Sequence, residues 1–486
     1  MKKYILIAAL FLAGKTSAQE DPISLTLSQA IEIAQRNSPN AESARHSYRS
    51  AYWSYKSYKA DYLPSVTLTS SPYFNRQISK ITQGDGTDIF REQNQLGVGF
   101  DLDITQNIWF TGGSLFLQTS AQRMDELKNK VTSYSTQPIS IGYRQSLFGY
   151  NTYKWARRLE PLSFRQARKA YNEALELVAS SASSHFFNLV NAQTNLEIAE
   201  YNYASADTLY RYAEGRYNIG TITENDMLQL EINKLSEETN LMNARIEVEE
   251  QMQKLRSFLG FTNDVPLKVI PESEIPNFKV PLAEALQMAF ENSPDPDSYQ
   301  RMKIQSQSNL ALAKSNAGLK ADIYVKFGLS QTGENLSEAY RDPINQQYAT
   351  LTLSLPILDW GRGKGRIRVA KSNVELTNIQ VEQNLKNFEL NVIQLVHQFN
   401  MQNQYVEIAA KRARTADRRH DVAKRLYILG KSTILDLNSS ITERDSAHRN
   451  YISALSNYWG LYYTIRSITG YDFEKNRKIE ENLPEI

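Results

Sequence analysis

No cysteine occurs in the 486 residues. That excludes disulfides, thiolate metal sites, a thiol nucleophile and the lipidated cysteine of a lipoprotein anchor. Histidine is scarce, at positions 46, 185, 397, 420 and 448, and no two lie close enough in sequence to suggest a metal pair. Neither sign of charge is in excess: 55 Lys+Arg against 53 Asp+Glu leave a net charge of +2, which removes the electrostatic case for nucleic acid. Long apolar runs are missing too. Beyond the first residues, no stretch approaches the ~20 apolar residues of a membrane helix. There is no Gly-x-x-x-x-Gly-Lys-Ser/Thr phosphate loop, nucleophile elbow, paired-carboxylate motif or zinc signature, so the reading is a non-enzyme without cofactor or metal. Tyrosine, by contrast, is abundant at 28 residues.

Residues 1–18 read as a secretory signal. Lys2 and Lys3 precede the apolar run Tyr4 to Leu12, and Thr16-Ser17-Ala18 supply small residues ahead of Gln19. An exported chain with no later apolar helix can cross a bilayer only as a β-barrel, because hydrocarbon leaves no unpaired backbone group satisfied.

Two copies of one plan follow. Leu27, Ala30, Ile31, Ala34, Asn37, Ser38 and Pro39 match Leu282, Ala285, Leu286, Ala289, Asn292, Ser293 and Pro294 at a constant offset of 255. Tyr217, Gly220, Thr223 and Asp226 match Tyr427, Gly430, Thr433 and Asp436 at an offset of 210, as do Arg256, Ser257 and Gly260 with Arg466, Ser467 and Gly470. Lys59-Ala60-Asp61 match Lys320-Ala321-Asp322 at an offset of 261, so the fall to 210 leaves 51 extra residues in the first copy, between Lys59 and Leu147. The expected organisation is a first repeat over 19–265, a Pro-rich connector over 266–281, a second repeat over 282–475 and a tail over 476–486.

Each copy predicts a helix (about 27–60 or 280–320), a strand, a loop, a second strand, a long helix, a tip and a returning helix. The first long helix carries a four-three seam from Tyr171 through Val178, Ala182, His185 and Leu189 to Ala213. Its counterpart runs from Val381 through Phe388, Val392 and Phe399 to Ala423, with only Gln402 and His420 polar. Each seam spans about 63 Å at 1.5 Å per residue, which suits a coiled-coil tube better than a globular core. The descending helices should stop at Gly220 and Gly430, and Thr223/Asp226 and Thr433/Asp436 should cap the returning ones. His185 and His420 read as packed, hydrogen-bonded seam residues. Gly361-Arg362-Gly363-Lys364-Gly365 reads as a flexible bend rather than a phosphate site.

Period-two stretches supply the strands. Leu96, Val98, Phe100, Leu102 and Ile104 alternate with Gly97, Gly99, Asp101, Asp103 and Thr105; Ile139, Ile141 and Tyr143, Val325, Phe327 and Leu329, and Ala349 to Ile357 behave alike. Such a period fits barrel strands that are apolar toward lipid and polar toward a lumen. Trp109, Phe110, Phe148, Tyr150 and Trp360 lie near strand ends, where a membrane interface favours aromatics. The extra residues read as one more hairpin near 95–121, turning at Phe110-Thr111-Gly112-Gly113. Four or six strands cannot close a barrel, since about eight is the minimum. The predicted fold class is therefore an α+β membrane protein: long α-helical coiled-coil hairpins plus transmembrane antiparallel strands, closing only in a trimer. Three copies would give 12 strands, or 18 if the hairpin joins the wall.

The duplicated Leu-x-x-Ala-Ile/Leu-x-x-Ala opening with Asn-Ser-Pro, the two Tyr-x-x-Gly-x-x-Thr-x-x-Asp tips and the signal sequence resemble the TolC-like outer-membrane efflux protein family over essentially the whole mature chain. The resemblance implies a homotrimeric barrel-plus-α-barrel duct in the outer membrane, extending into the periplasm with the connector in an equatorial belt. It implies docking through a periplasmic adaptor onto an inner-membrane pump of RND or ABC type, and contact with outer-membrane lipid. Aligned on the tip glycines, Tyr427, with Tyr217 at the equivalent position, would constrict the closed end. Asp226 would be an acidic gate partner and Asp436 part of an acidic ring. Ser432 and Ser439 stand where the best-known member has a gate arginine and a second ring aspartate. Ile219, Gly220, Thr221, Leu429, Gly430 and Lys431 would meet the adaptor. The alternative is a periplasmic coiled-coil adaptor without a channel, although adaptors have one hairpin flanked by soluble β-domains.

Overall fold

The structure, a computed structural model, describes residues 23–261, 267–271, 275–479 and 483–484. The signal sequence assigned to 1–18 lies outside them, as do parts of the connector and the tail. In chain order the elements are β1 (Ile23–Thr26), α1 (Leu27–Asn37), α2 (Pro39–Ala60), β2 (Ser65–Ser70), β3 (Tyr73–Thr82), β4 (Asp88–Ile108), β5 (Gly113–Glu126), β6 (Val131–Ser146), α3 (Thr152–Asn218) and α4 (Glu224–Leu259). There follow β7 (Leu267–Ile270), α5 (Leu282–Asn292), α6 (Pro294–Ala317), β8 (Lys320–Gly333), β9 (Ile344–Ser354), α7 (Arg362–Ile428), α8 (Ile434–Thr469), β10 (Tyr471–Asp472) and β11 (Arg477–Lys478). Among the described residues no helix is long and apolar enough to cross a membrane.

The chain forms two compact units. One comprises residues 48–168 and 294–388, and the other holds the remaining described residues. The first holds an antiparallel sheet in the order β2-β4-β5-β6-β8-β9, with β3 also on β4. Strand alternation sorts its faces. Val66, Ile104, Leu117, Ile141 and Phe327 lie in one row across five strands, and Thr67, Asp103, Gln118, Ser140 and Gly328 lie in the next row on the opposite face. The apolar face is open: Val66, Leu68, Phe100, Ile141, Phe327, Leu351 and Leu353 are all exposed. The strands are longer than the alternation alone suggested, because their upper lengths turn polar. There Arg76 and Lys128 both pair with Glu92, and Arg123 pairs with Asp125. Helices brace the same unit through Tyr55 stacked on Phe164 at 4.7 Å and the bidentate Arg165–Asp297 pair.

In the second unit the seams are buried. Tyr171, Val178, Ala182, Leu189, Ala206 and Ala213 of α3, and Val381's continuation through Val392, Phe399, Val406 and Ala416 of α7, are shielded from solvent. Burial on α3 also takes in Ala179, Ser183, Phe186, Phe187 and Val190, a second line beside the seam. A one-sided stripe is therefore too narrow a description of α3 in this stretch; it packs on two fronts.

Two expectations need correction. The single helices expected over 27–60 and 280–320 are each broken, at Ser38 and Ser293, where the backbone turns extended ahead of Pro39 and Pro294. The cause is steric: proline disfavours the helical conformation in the residue before it. Ser38 turns the break to use, its Oγ accepting from the Ala41 amide at 3.1 Å. Nor is the connector wholly irregular. Leu267–Ile270 pairs in parallel with Ile23–Thr26, and in the tail Arg477–Lys478 pairs with Tyr471–Asp472.

Candidate functional site

The two helical tips are built alike. α3 and α7 are 67 residues each, and the returning α4 and α8 are 36 each. The first descent ends as the Gly220 amide donates to Tyr217 O and the Thr221 amide to Arg216 O; the second ends with Gly430 on Tyr427 O and Lys431 on Leu426 O. This paired bonding needs a left-handed residue, and φ is +75° at Gly220 and +70° at Gly430. Gly430→Ala should therefore cost about 1–2 kcal/mol, because a Cβ crowds the left-handed backbone. Hydrogen exchange at the second tip should accelerate. Gly460→Ala, inside α8 where an added Cβ meets nothing within 4 Å, should leave that exchange unchanged or slower.

Both returning helices open on a reciprocal capping box. Thr223 Oγ1 accepts from the Asp226 amide while the Asp226 carboxylate accepts from the Thr223 amide and hydroxyl; Thr433 and Asp436 repeat the arrangement. Ser432 adds a bond to Asp436 at 3.2 Å. These donors hold the Asp436 carboxyl below the usual carboxylate range. Each acidic gate candidate thus has a full capping role within its own chain.

Tyr427 is drawn inward. It packs with Tyr210, Ile222, Ile434 and Ile441 on a core of Leu209, Ala213, Leu230 and Leu437, so the ends of both hairpins share one apolar cluster. Burial pushes its phenol above the ordinary range, partly offset by the Arg216 guanidinium and reinforced by Asp226. Arg216 was not among the candidates read from sequence. Its guanidinium lies in the electrostatic surroundings of Tyr427. Tyr217 is half exposed, and Ile219 and Leu429 are 74% and 67% exposed, leaving two bare aliphatic side chains at the turns. Thr221 and Lys431 are exposed as well.

Above the tips lies a buried polar knot that the periodicity did not reveal. Asn202 of α3 donates to the Asp445 carboxylate at 2.8 Å and accepts from Arg444 at 2.6 Å, both on α8. Arg444 also bonds Asp445 and lies over the Tyr201 ring at 4.7 Å. Asn202, Arg444 and Asp445 are all buried. Next to them His420, flagged by its polarity on the α7 seam, shares a hydrogen bond with Ser440 at 3.2 Å. Burial and the neighbouring Arg444 and Lys424 push its imidazole below the usual histidine range. Gln402, the other polar seam residue of α7, donates to Ala454 O. His185 packs on Phe258 at 4.7 Å, and its Nδ1 has no hydrogen-bond partner among the described residues.

In the sheet unit, Trp109 and Phe110 occupy the β4–β5 turn, Phe148 follows β6 and Trp360 follows β9, all at one end of the sheet. Each is more than one-third exposed, Trp360 at 90%. The Arg157 guanidinium sits 3.9 Å from the Trp109 ring centroid. Tyr150 differs from the others: its hydroxyl bonds Ser308 at 2.5 Å, which turns it into the protein. At the Gly361 to Gly365 segment, Asp359 accepts from the Gly361 and Gly363 amides at 2.9 and 2.7 Å. A carboxylate thus fills the N-terminus of α7, where a phosphate would need those same donors.

A sheet with one exposed apolar face, aromatics along one end and long helical hairpins in the same chain define the class of outer-membrane channel proteins. A family model for outer membrane efflux proteins matches residues 112–261 and 286–470. The chain belongs to the outer membrane efflux protein family, whose members act at the outer membrane and extend into the periplasm. Among solved structures it is similar to the CmeC outer membrane channel of Campylobacter jejuni, with a TM-score of 0.66 and 16% identity over 93% of this chain and 87% of that one. It is also similar to VceC of Vibrio cholerae, with a TM-score of 0.64 and 13% identity over 91% and 96% of the two chains. The open-state MtrE channel of Neisseria gonorrhoeae gives 0.62 and 15%, over 91% and 88%. At these identities the likeness is one of fold. An uncharacterized protein of Haemophilus influenzae is 21% identical over 230 residues, 45% of this chain and 49% of that relative, so the match spans about half the relative's length.

Proposed function

We propose that this protein is the exit duct of an export system, a passive channel that closes as a homotrimer. It would take its energy from an inner-membrane pump through a periplasmic adaptor. The observation that carries the reading is the open-edged sheet. One chain offers an apolar face across the lower lengths of β2, β4, β5, β6, β8 and β9 yet too few strands to seal a pore, so the hole must lie between copies. The efflux family and the channel folds of its structural neighbours support the duct role. The paired tips, with Ile219 and Leu429 bare, would supply the adaptor contact, and Tyr427 on its shared cluster would be the closing element. Opening would separate the two hairpin ends that this cluster joins.

The test is a planar-bilayer recording of the purified protein. The wild type should show small conductance, and Tyr427→Ala with Asp226→Ala should raise it several-fold. An unchanged conductance in a correctly inserted double variant removes these residues from the gate. Absence of any conductance in both proteins, with normal insertion, removes the duct itself.

A further inference from the structure

We propose that the assembled wall has eighteen strands, six from each of three copies, with the β2/β3 edge of one copy paired to the β9 edge of the next. This rests on the trimeric duct reading above and goes beyond it by fixing the width of the pore in the membrane.

The β4–β5 hairpin decides the count. It is not appended to the sheet but sits inside it, between β2 and β6. On one side β4 pairs with β5 along the whole of Gln95–Ile108, and on the other it pairs with β2 through residues 100–105 and with β3 through residues 88–97. β2 and β3 therefore take successive lengths of the same edge, and seven strands fill six positions. The hairpin cannot leave the wall without separating β2 from β6.

Face chemistry passes through the hairpin unbroken. Ile104 and Leu117 continue the apolar row between Val66 and Ile141, and Asp103 and Gln118 continue the polar row between Thr67 and Ser140. A hairpin folded outside the wall would gain nothing from this register, because both its faces would meet the same surroundings. The remaining edges, β2/β3 and β9, have no strand partner among the described residues. In hydrocarbon their amides and carbonyls need one, and an identical copy supplies the opposite edge.

Eighteen strands make a wall of the size that leaves an aqueous channel. On the inner face Phe116, Tyr324 and Lys326 are held against the wall. The Phe116 ring covers Gly142 so closely that a Cβ there would sit 2.1 Å from it, and the same ring stacks on Tyr324 at 5.5 Å. Lys326 donates to Gln118 and Gln137, each at 2.7 Å.

Single-particle imaging of the full-length protein in nanodiscs, with native mass spectrometry of the same sample, tests this. Three copies and an eighteen-stranded wall are the expected result. Three copies around a twelve-stranded wall overturn this inference and leave the trimeric duct standing; any other copy number overturns both. The absence of native cysteine permits a second readout. Gln118→Cys should react with a membrane-impermeant maleimide at least tenfold faster than Leu117→Cys in proteoliposomes. Equal rates place the hairpin outside the wall.

Discussion

Val66→Arg should block insertion, and Thr67→Arg, one residue further along the same strand, should not. Val66 lies in the central apolar row opposite Ile104, and its side chain is 64% exposed on the face assigned to lipid. A cation there costs about 2–4 kcal/mol near the bilayer midplane. The penalty recurs in every copy, so a trimer would carry it three times. Thr67 faces the other way, opposite Asp103. An arginine at that position meets an opposite charge across the strands in a wet lumen, and such cross-strand pairs are neutral to favourable. Outer-membrane fractionation with heat-modifiability on gels should show assembly lost in the first variant and retained in the second. If both variants assemble equally, the assignment of the two faces is wrong.

The second large effect concerns the polar knot between α3 and α8. Asp445→Ala leaves the buried Arg444 guanidinium with Asn202 as a neutral partner and no compensating charge. Breaking a buried pair in this way typically costs about 3–5 kcal/mol. Most of that cost is the desolvated charge left behind rather than the lost bond. Replacing Asn202, Arg444 and Asp445 together by apolar residues of similar volume should therefore be far milder, within about 1–2 kcal/mol of the native protein or even more stable. Urea melts of the detergent-solubilised protein, followed by helical circular dichroism, separate the cases. A single variant that melts like the native protein would show that Arg444 reaches water or another carboxylate. The knot joins the descending helix of the first hairpin to the returning helix of the second. Loosening it should also weaken the apolar cluster around Tyr427, so the single variant should show a higher conductance.

Local chemistry wrote much of this molecule directly into its sequence. The strands show because successive side chains fall on opposite faces, one apolar and one polar, which imposes a period of two on residues such as Phe100 to Ile104. The seams show because long helices packed side by side repeat their contacts every seven residues, as from Tyr171 to Ala213. The tips show because glycine takes the left-handed turn at positions 220 and 430 without a Cβ clash, and because Thr-x-x-Asp satisfies the next helix's free amides within a single turn. The helix breaks at Ser38 and Ser293 were legible too, since proline follows each; the apolar spacing around them masked that signal.

What the linear order could not decide is who stands next to whom. Pairing of β4 with both β2 and β3, and placement of the hairpin inside the sheet, depend on backbone groups that carry no residue identity. The link of Asn202 to Arg444 and Asp445 spans more than 240 positions, and no periodicity marks it, because a polar residue that will be buried against a partner looks the same in sequence as one facing water. The parallel pairing of Ile23–Thr26 with Leu267–Ile270 is another case. Patterning set which faces are apolar and where each helix stops. Tertiary structure alone set register, neighbour and partner, because those are chosen by geometry between distant segments rather than by the chemistry of any one of them.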